Sequence, residues 1–420
     1  MLARTGAASG RRTTTEPVKN FNLDTWLEAV LKGSDRVSDL NFSVGRPPQI
    51  EVDGTLVPVP VFGLQKLTPF QTEMIALHVL RGDSEKIADL VATGSTDASY
   101  AIPGKTRFRV NVFQQRGTYS IVLRVIPNGV PTVEELGLPA EINRVGDLKN
   151  GIVLVTGPTG SGKSTTLAAI VHKINRDHAY HIVTIEDPIE YLHPHLRSTV
   201  NQREVGSDTK TFALALRAAL RQAPKVILIG EMRDVETIET AMEAAETGHL
   251  VLSTLHTIDA SKTIERILGV FPKEQEAFVR RRFAATFRYV ISQRLVPRLG
   301  GGRVAALEIL KSTERTRDYV LEGEREGRSL LDAIADGDTE GMQTFDQVME
   351  RLVRDGLISY DHALLYSTNE TNLRLALADW KDAGRSAVAR PSSASAAAPR
   401  RGDRLRDLPG LPEVEVELEP

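Results

Sequence analysis

The chain has 420 residues, 41% of them hydrophobic and 25% charged, which suits two or three domains with substantial cores. Its 52 basic and 55 acidic side chains nearly cancel, to a formal charge of −3, so it is no bulk polyanion binder and a nucleic-acid role would need a local basic patch. Cysteine is absent, which excludes disulfide scaffolds, thiolate metal sites and a cysteine nucleophile, and fits a reducing compartment.

Residues 1–19, rich in Ala, Gly, Arg and Thr, are predicted to be a disordered tail. They carry Arg4, Arg11 and Arg12 but no apolar core of a secretory signal. Residues 20–126 are predicted to form a small α+β domain. A helical pattern begins at Thr25, and Asp39–Val44 alternates. Gln49–Val52 and Thr55–Val59 flank Asp53-Gly54, a hairpin signal. A helix is expected near Pro69–Arg81, then strands at Thr106–Gln114 and Tyr119–Ile126 around Arg116-Gly117. Residues 127–137, with Pro127, Gly129 and Pro131, are the predicted linker.

Residues 138–310 alternate short apolar runs with helical patterns. The runs are Gly151–Thr156, His181–Ile185, Val226–Gly230 and Leu250–Leu255, and the helices are Ser164–Arg176, Phe212–Gln222 and Val235–Thr247. That alternation predicts an α/β core with a parallel sheet covered on both faces. From about residue 259 to 382 the pattern is read as nearly all helical, with 311–383 a helical C-terminal region. Residues 384–420 are a second predicted tail, basic at first (Arg385, Arg390, Arg400, Arg401) and acidic at the end (Glu413, Glu415, Glu417, Glu419). No run approaches roughly 18 consecutive apolar residues, so no membrane-spanning segment is expected.

Gly157-Pro158-Thr159-Gly160-Ser161-Gly162-Lys163-Ser164 satisfies the phosphate-loop pattern, with Thr165 following, between an apolar strand and a helix. Its glycines let backbone N–H groups turn toward phosphate, and the helix N-terminus adds positive potential. Lys163 is expected to reach the β- and γ-phosphates of ATP, and Ser164 to hold Mg²⁺. A second run, Val226–Gly230, ends at Glu231. Gly230 stands where a Walker B strand usually carries Asp, so Glu231 acts alone or another carboxylate shares the metal work. Glu186, Asp187 and Glu190 supply candidates on a turn broken by Pro188, at the sheet edge where ligands bind. His249 and His256 flank the last apolar run and are candidates to position the γ-phosphate.

The order GPTGSGKSTTLAA, TIEDPIEY, NQREVG, ALRAALRQAP, ILIGEMRD, AAETGHLVLSTLHT and ISQRLVP resembles the secretion-type ATPases, and within them the PilT and PilU type of type IV pilus retraction motor. The resemblance runs from about Ser38 to Leu377. It implies a PAS-like N-terminal domain, a RecA-like P-loop core, a homohexameric ring and ATP hydrolysis. It also implies Glu190 as the catalytic carboxylate, Glu231 as the Walker B acid, His249 and His256 as the histidine box, and Arg109 and Arg124 as N-domain groups that reach phosphate. The implied setting is cytoplasmic, peripherally docked on an inner-membrane platform protein of the PilC kind, with a paralogous retraction ATPase as a further partner and no nucleic acid. Extension and type II secretion ATPases usually carry a tetracysteine zinc insert, for which this chain has no cysteine. Of the family's C-terminal Ala-Ile-Arg-Asn-Leu-Ile-Arg-Glu helix, the first Arg is kept as Arg317 and the second is Leu321, so principal and accessory retraction roles both stay open. A non-hydrolysing scaffold would not need Lys163, Glu190 and Glu231 together. A helicase would need a basic-aromatic stripe, and none is evident.

Overall fold

A computed structural model describes residues 22–34, 37–52, 55–59, 65–126, 129–324 and 329–380. Both expected tails, the Asp53-Gly54 turn, and Pro127 and Asn128 of the expected linker lie outside the described residues. The chain divides into two compact units between Ile126 and Pro127.

The first unit contains α1 (Leu23–Gly33), β1 (Val37–Phe42), β2 (Gln49–Val52), β3 (Thr55–Pro58), α2 (Pro69–Val79), α3 (Ser84–Thr93), β4 (Ser95–Ile102), β5 (Thr106–Gln115) and β6 (Thr118–Ile126). Its strands form one sheet in the order β3-β2-β1-β6-β5-β4, with every neighbour antiparallel. Arg116 (φ 49°) and Gly117 (φ 74°) are both left-handed, the conformation a two-residue hairpin between β5 and β6 needs. Phe108, Val110, Val112, Ile121 and Leu123 point to the core beside Trp26 and Leu27 of α1. Of the alternate positions, Arg109 and Arg124 are exposed, and Arg107, Asn111 and Val122 are half-buried. Strand β4 and helix α3 add to the predicted elements: Ser-Thr-Asp-Ala-Ser-Tyr has little intrinsic strand preference, and β4 forms by pairing along its whole length with β5.

The second unit contains α4 (Glu141–Val145), β7 (Gly151–Thr156), α5 (Lys163–Asp177), β8 (His181–Glu186), β9 (Thr199–Glu204), α6 (Phe212–Ala219), β10 (Val226–Ile229), α7 (Val235–Glu246), β11 (Leu250–Leu255), α8 (Ala260–Leu268), α9 (Lys273–Thr286), β12 (Phe287–Pro297), β13 (Arg303–Lys311), α10 (Glu314–Glu322), α11 (Leu330–Ala335), α12 (Phe345–Arg354), α13 (Tyr360–Tyr366) and α14 (Glu370–Ala376). The sheet order is β13-β12-β7-β11-β10-β8-β9. All pairs are parallel except β12 with β13 at the edge. Neighbouring residues of one strand serve opposite cores: Ile152 and Leu154 of β7 pack with α7 and α9, whereas Val153 and Val155 pack with α5. That two-sided burial is why these strands are continuous apolar runs.

Strands β12 and β13 correct the expectation of nearly continuous helix after residue 259. Their apolar runs follow two amphipathic helices directly, and a buried strand cannot be told from a buried helix by periodicity alone. The expected linker also looks different. Val133 is 2% exposed and belongs to the second unit's core. Thr132 and Glu135 exchange side-chain-to-backbone hydrogen bonds. Among the described residues, no helix is long and apolar enough to cross a membrane.

Candidate functional site

Parallel strands place their C-terminal ends on one edge, and four of them deliver the candidate residues there. The phosphate loop follows β7, the acidic turn follows β8, Gly230-Glu231 follows β10 and His256 follows β11. Together they line a cleft of about 480 Å³. Thr159, Gly160, Gly162, Lys163, Ser164, Thr165, Glu186, Asp187, Glu190, Glu231 and His256 all contribute to its wall.

The loop's shape depends on its glycines. Gly157 (φ 144°) and Gly162 (φ 87°) sit where L side chains rarely go. A Cβ at Gly157 would meet the Gln293 carbonyl at 2.4 Å, and one at Gly162 would meet Gln293 Nε2 at 2.8 Å. Gly162 is the N-cap of α5 and offers no side-chain acceptor, unlike Thr211, Asp234 and Asp259, which cap α6, α7 and α8 with their own oxygens. The first-turn N–H groups of α5 are therefore available to an anion.

Lys163 is 8% exposed, and its Nζ donates to the carbonyls of Gly157 (2.9 Å) and Pro158 (3.1 Å). Burial lowers its pKa, while the charges of Glu190 and Glu231 oppose that shift. The ammonium thus sits in the field of both carboxylates, one from each strand end. Within the loop, the Ser161 Oγ is buried without a hydrogen-bond partner.

The acidic turn is held from β9. Gln202 Nε2 donates to Glu186 Oε1 (3.1 Å) and to the Tyr191 carbonyl (2.8 Å), and its Oε1 accepts from His193 N. Glu204 Oε2 accepts from Ile189 N at 3.1 Å. Glu186 also accepts from Thr184 Oγ1 at 2.6 Å, yet burial pushes its pKa up. Glu186 is a braced, half-buried acid in the cleft wall, whereas Glu190 is exposed in the cleft.

Gly230 lies alongside the acidic turn. Its Cβ position is 3.4 Å from Glu186 Cα and from the Ile185 carbonyl, so the acidic turn lies directly against it. Glu231 follows, ion-paired with Arg233 at 2.6 Å and 3.9 Å from His256 Nε2. Burial, then Lys163 and Arg233, lowers the His256 pKa against the opposing pull of Glu231. The imidazole is therefore neutral at neutral pH, a hydrogen-bonding group rather than a cation.

The structure does not bring the two histidines together. His249 precedes β11, at the opposite sheet edge, and its Nδ1 donates to the Ala244 carbonyl at 2.8 Å at the end of α7. Arg109 and Arg124 belong to the first unit, directly opposite each other on β5 and β6. Arg124 Nε also pairs with Asp39 on β1 at 2.9 Å. Gln293, Gln202, Glu204 and Arg233 received no role from the sequence. Of these, Gln293 is 3% exposed and joins loop to helix: Nε2 donates to the Ser161 carbonyl (2.8 Å), and Oε1 accepts from Thr166 Oγ1 (2.7 Å). Its place inside Ile-Ser-Gln-Arg-Leu-Val-Pro was the available signal.

Residues 84–344 match the family model of the type II/IV secretion system protein. The type IV pilus retraction ATPase PilT of Pseudomonas aeruginosa is 47% identical over 326 residues, which cover 78% of this chain and 93% of that protein. The type IV pilus ATPase PilU of the same organism is 40% identical, covering 80% of this chain and 87% of that protein. A crystal structure of the pilus retraction motor PilT with bound ADP superposes with a TM-score of 0.76 at 41% identity, covering 85% of this chain and all of that one. With a phosphate loop, an acidic turn and a strand-end glutamate in one cleft, and with similarity of this extent, the chain belongs to the type II/IV secretion system family as a homologue of the PilT retraction ATPase.

Proposed function

We propose that this protein is a Mg²⁺-dependent ATPase that works as a homohexameric ring and powers type IV pilus retraction. The observation that carries the reading is the convergence of Lys163, Glu190 and Glu231 on one cleft, in a chain alignable with 93% of a PilT. In this reading the second unit's core, residues 138–310, is RecA-like, the domain of residues 20–126 is PAS-like, and residues 311–383 form the helical C-terminal region. The ring is cytoplasmic and docks on an inner-membrane platform protein of the PilC kind.

The donor set suits a nucleoside triphosphate with its metal. Open N–H groups at α5 and the Lys163 ammonium receive the phosphates, and carboxylates stand opposite. Among the described residues no three His, Asp or Glu side chains form a metal cage, which suits an ion that shares its ligands with phosphate and water. Ser164 and Glu231 would hold that Mg²⁺, which would neutralise phosphate charge. Glu190 orients the attacking water and takes its proton. Lys163 offsets charge that builds on the phosphate oxygens. His256 stays neutral and donates or accepts near the γ-phosphate position. The direct test is ATP turnover by the purified full chain, which is expected with Mg²⁺ and lost when the metal is chelated. Absence of turnover with Mg²⁺ would reject the reading.

Gln293 is the brace of this machinery. Gln293→Ala removes two hydrogen bonds beneath the loop, each worth about 1 kcal/mol, and is expected to weaken ATP binding about tenfold or more. Equal ATP affinity in titration calorimetry would mean that the loop holds its shape without it.

Arg109 and Arg124 are proposed to close over the phosphates. Two guanidinium groups directly across a strand pair repel, and Asp39 offsets only Arg124 by an ion pair; a phosphate between them would offset both. Because Val133 is packed in the second unit, the hinge for that closure is proposed to lie before it, in residues 127–132. A charge-assisted hydrogen bond is worth about 1.5–3 kcal/mol, so Arg109→Ala is expected to slow turnover about 10- to 100-fold with the melting temperature unchanged, and Arg124→Ala to slow it as much with a lowered melting temperature, because it leaves the buried Asp39 without its ion pair. Full turnover in both variants would remove the first unit from the chemistry.

A second reading, as an accessory PilU-like retraction ATPase, rests on Leu321 in place of the motif's second Arg, while the identity with PilU, 40%, stands below the 47% with PilT. Retraction that persists in a strain lacking this gene but keeping a paralogue would support it.

A further inference from the structure

Away from the cleft, a second cavity of about 540 Å³ opens in the second unit between α9, the start of β12 and α10. Arg281, Arg288 and Arg317 line it, beside an apolar surface of Ala284, Ala285 and Leu321. Arg288 is anchored: its Nη1 donates to the carbonyls of Ala285 (3.0 Å) and Phe287 (3.1 Å), and its Nη2 to Asn150 Oδ1 (3.1 Å). Burial, and then the charge of Arg317, lowers the Arg288 pKa, so the two guanidinium groups feel each other without a compensating acid. Arg281 and Arg317 have no hydrogen-bond or ion-pair partner for their side chains among the described residues. Glu314 and Asp318 also line the cavity, and neither forms an ion pair with these arginines. On the same wall the Ser312 hydroxyl is buried without a partner.

Three guanidinium groups outnumber the two carboxylates of the cavity and ion-pair with neither, and with the unpartnered hydroxyl on the same wall they suit a carboxylate ligand, since guanidinium groups donate only and match a carboxylate's two oxygens. The apolar strip of Ala284, Ala285 and the 39% exposed Leu321 asks for aliphatic side chains next to those carboxylates. The chain itself carries such a sequence. Residues 413–419 read Glu-Val-Glu-Val-Glu-Leu-Glu. An extended backbone sets four carboxylates on one side and three aliphatic groups on the other. The 32 residues between Trp380 and Glu413 span up to about 105 Å when extended, so reach sets no limit.

We propose that the cavity lined by Arg281, Arg288 and Arg317 is a binding site for an acidic peptide, and that its occupant is the Glu413–Glu419 segment of this chain. The acidic end of the sequence is then a salt-sensitive tether on the C-terminal region, released by any stronger polyanion that competes for the arginines.

Because the chain has no cysteine, Gly410→Cys gives the full-length protein a single spin label just ahead of the segment. At about 50 mM salt the label is expected to show a slow component that disappears at about 500 mM, where charges are screened within a few ångströms. Arg281→Ala with Arg317→Ala is expected to reduce the slow component about tenfold, the loss of two exposed ion pairs. Glutamine at 413, 415, 417 and 419 should free the label equally while leaving the cavity untouched, which decides the matter if the arginine variant melts. Arg281→Glu with Arg317→Glu should regain the slow component when combined with Glu415→Lys and Glu417→Lys. A label that is mobile at low salt overturns the proposal. So does one freed by the glutamine variant but still slow in the folded arginine variant, which would place the segment elsewhere, such as on the chain's own basic run Arg385–Arg406.

Discussion

Glu190→Gln is expected to bind nucleotide and to hydrolyse it about 10²–10⁴-fold more slowly, the usual contribution of a positioned general base. The amide keeps the size and polarity of the side chain but cannot take a proton from water. The structure separates Glu190 from its neighbour Glu186 on physical grounds. Glu186 is held by Thr184 and Gln202 and pushed toward its protonated form by burial, whereas Glu190 is exposed in the cleft and acts electrostatically on Lys163. Loss of Glu190 also removes one of the two charges that sustain the Lys163 ammonium. ATP affinity measured beside turnover therefore distinguishes loss of the base from loss of the cation. A variant with wild-type turnover would return the base to Glu186 or Glu231.

Lys163→Ala is expected to lower turnover by about 10²–10³-fold, the cost of deleting a preorganised charge at developing negative charge, and to weaken ATP binding as well. The same variant frees the carbonyls of Gly157 and Pro158, to which Nζ donates. Unchanged circular dichroism and melting temperature would show that the loss is electrostatic. Normal turnover in the purified variant would reject the phosphate-loop assignment.

The parts of this site legible in the sequence are those where one local rule dominates. Gly157 and Gly162 announce a backbone that only glycine adopts easily, and continuous apolar runs such as Gly151–Thr156 announce strands buried on both faces. The parts that were not legible depend on distant partners. Gln293 gains its role only because β12 lies beside β7, and the pattern over that stretch predicts helix. Gln202 and Glu204 matter because β9 pairs in parallel with β8 and aims at the acidic turn. The two histidines are six residues of buried strand apart in the chain, and spacing along a strand separates groups by its length, so His256 enters the cleft and His249 does not. Gly230, at the position where a Walker B strand usually carries an acid, lies beside the acidic turn, whose carboxylates come from β8 instead.

Retraction itself is tested most directly in cells that express only the Glu190→Gln form, by counting surface pili and scoring surface motility against a strain lacking the gene. The account predicts hyperpiliated, non-motile cells in both, because pili still extend and are not withdrawn. Bald cells, or full motility with Glu190→Gln as the sole copy and no paralogue present, would contradict it.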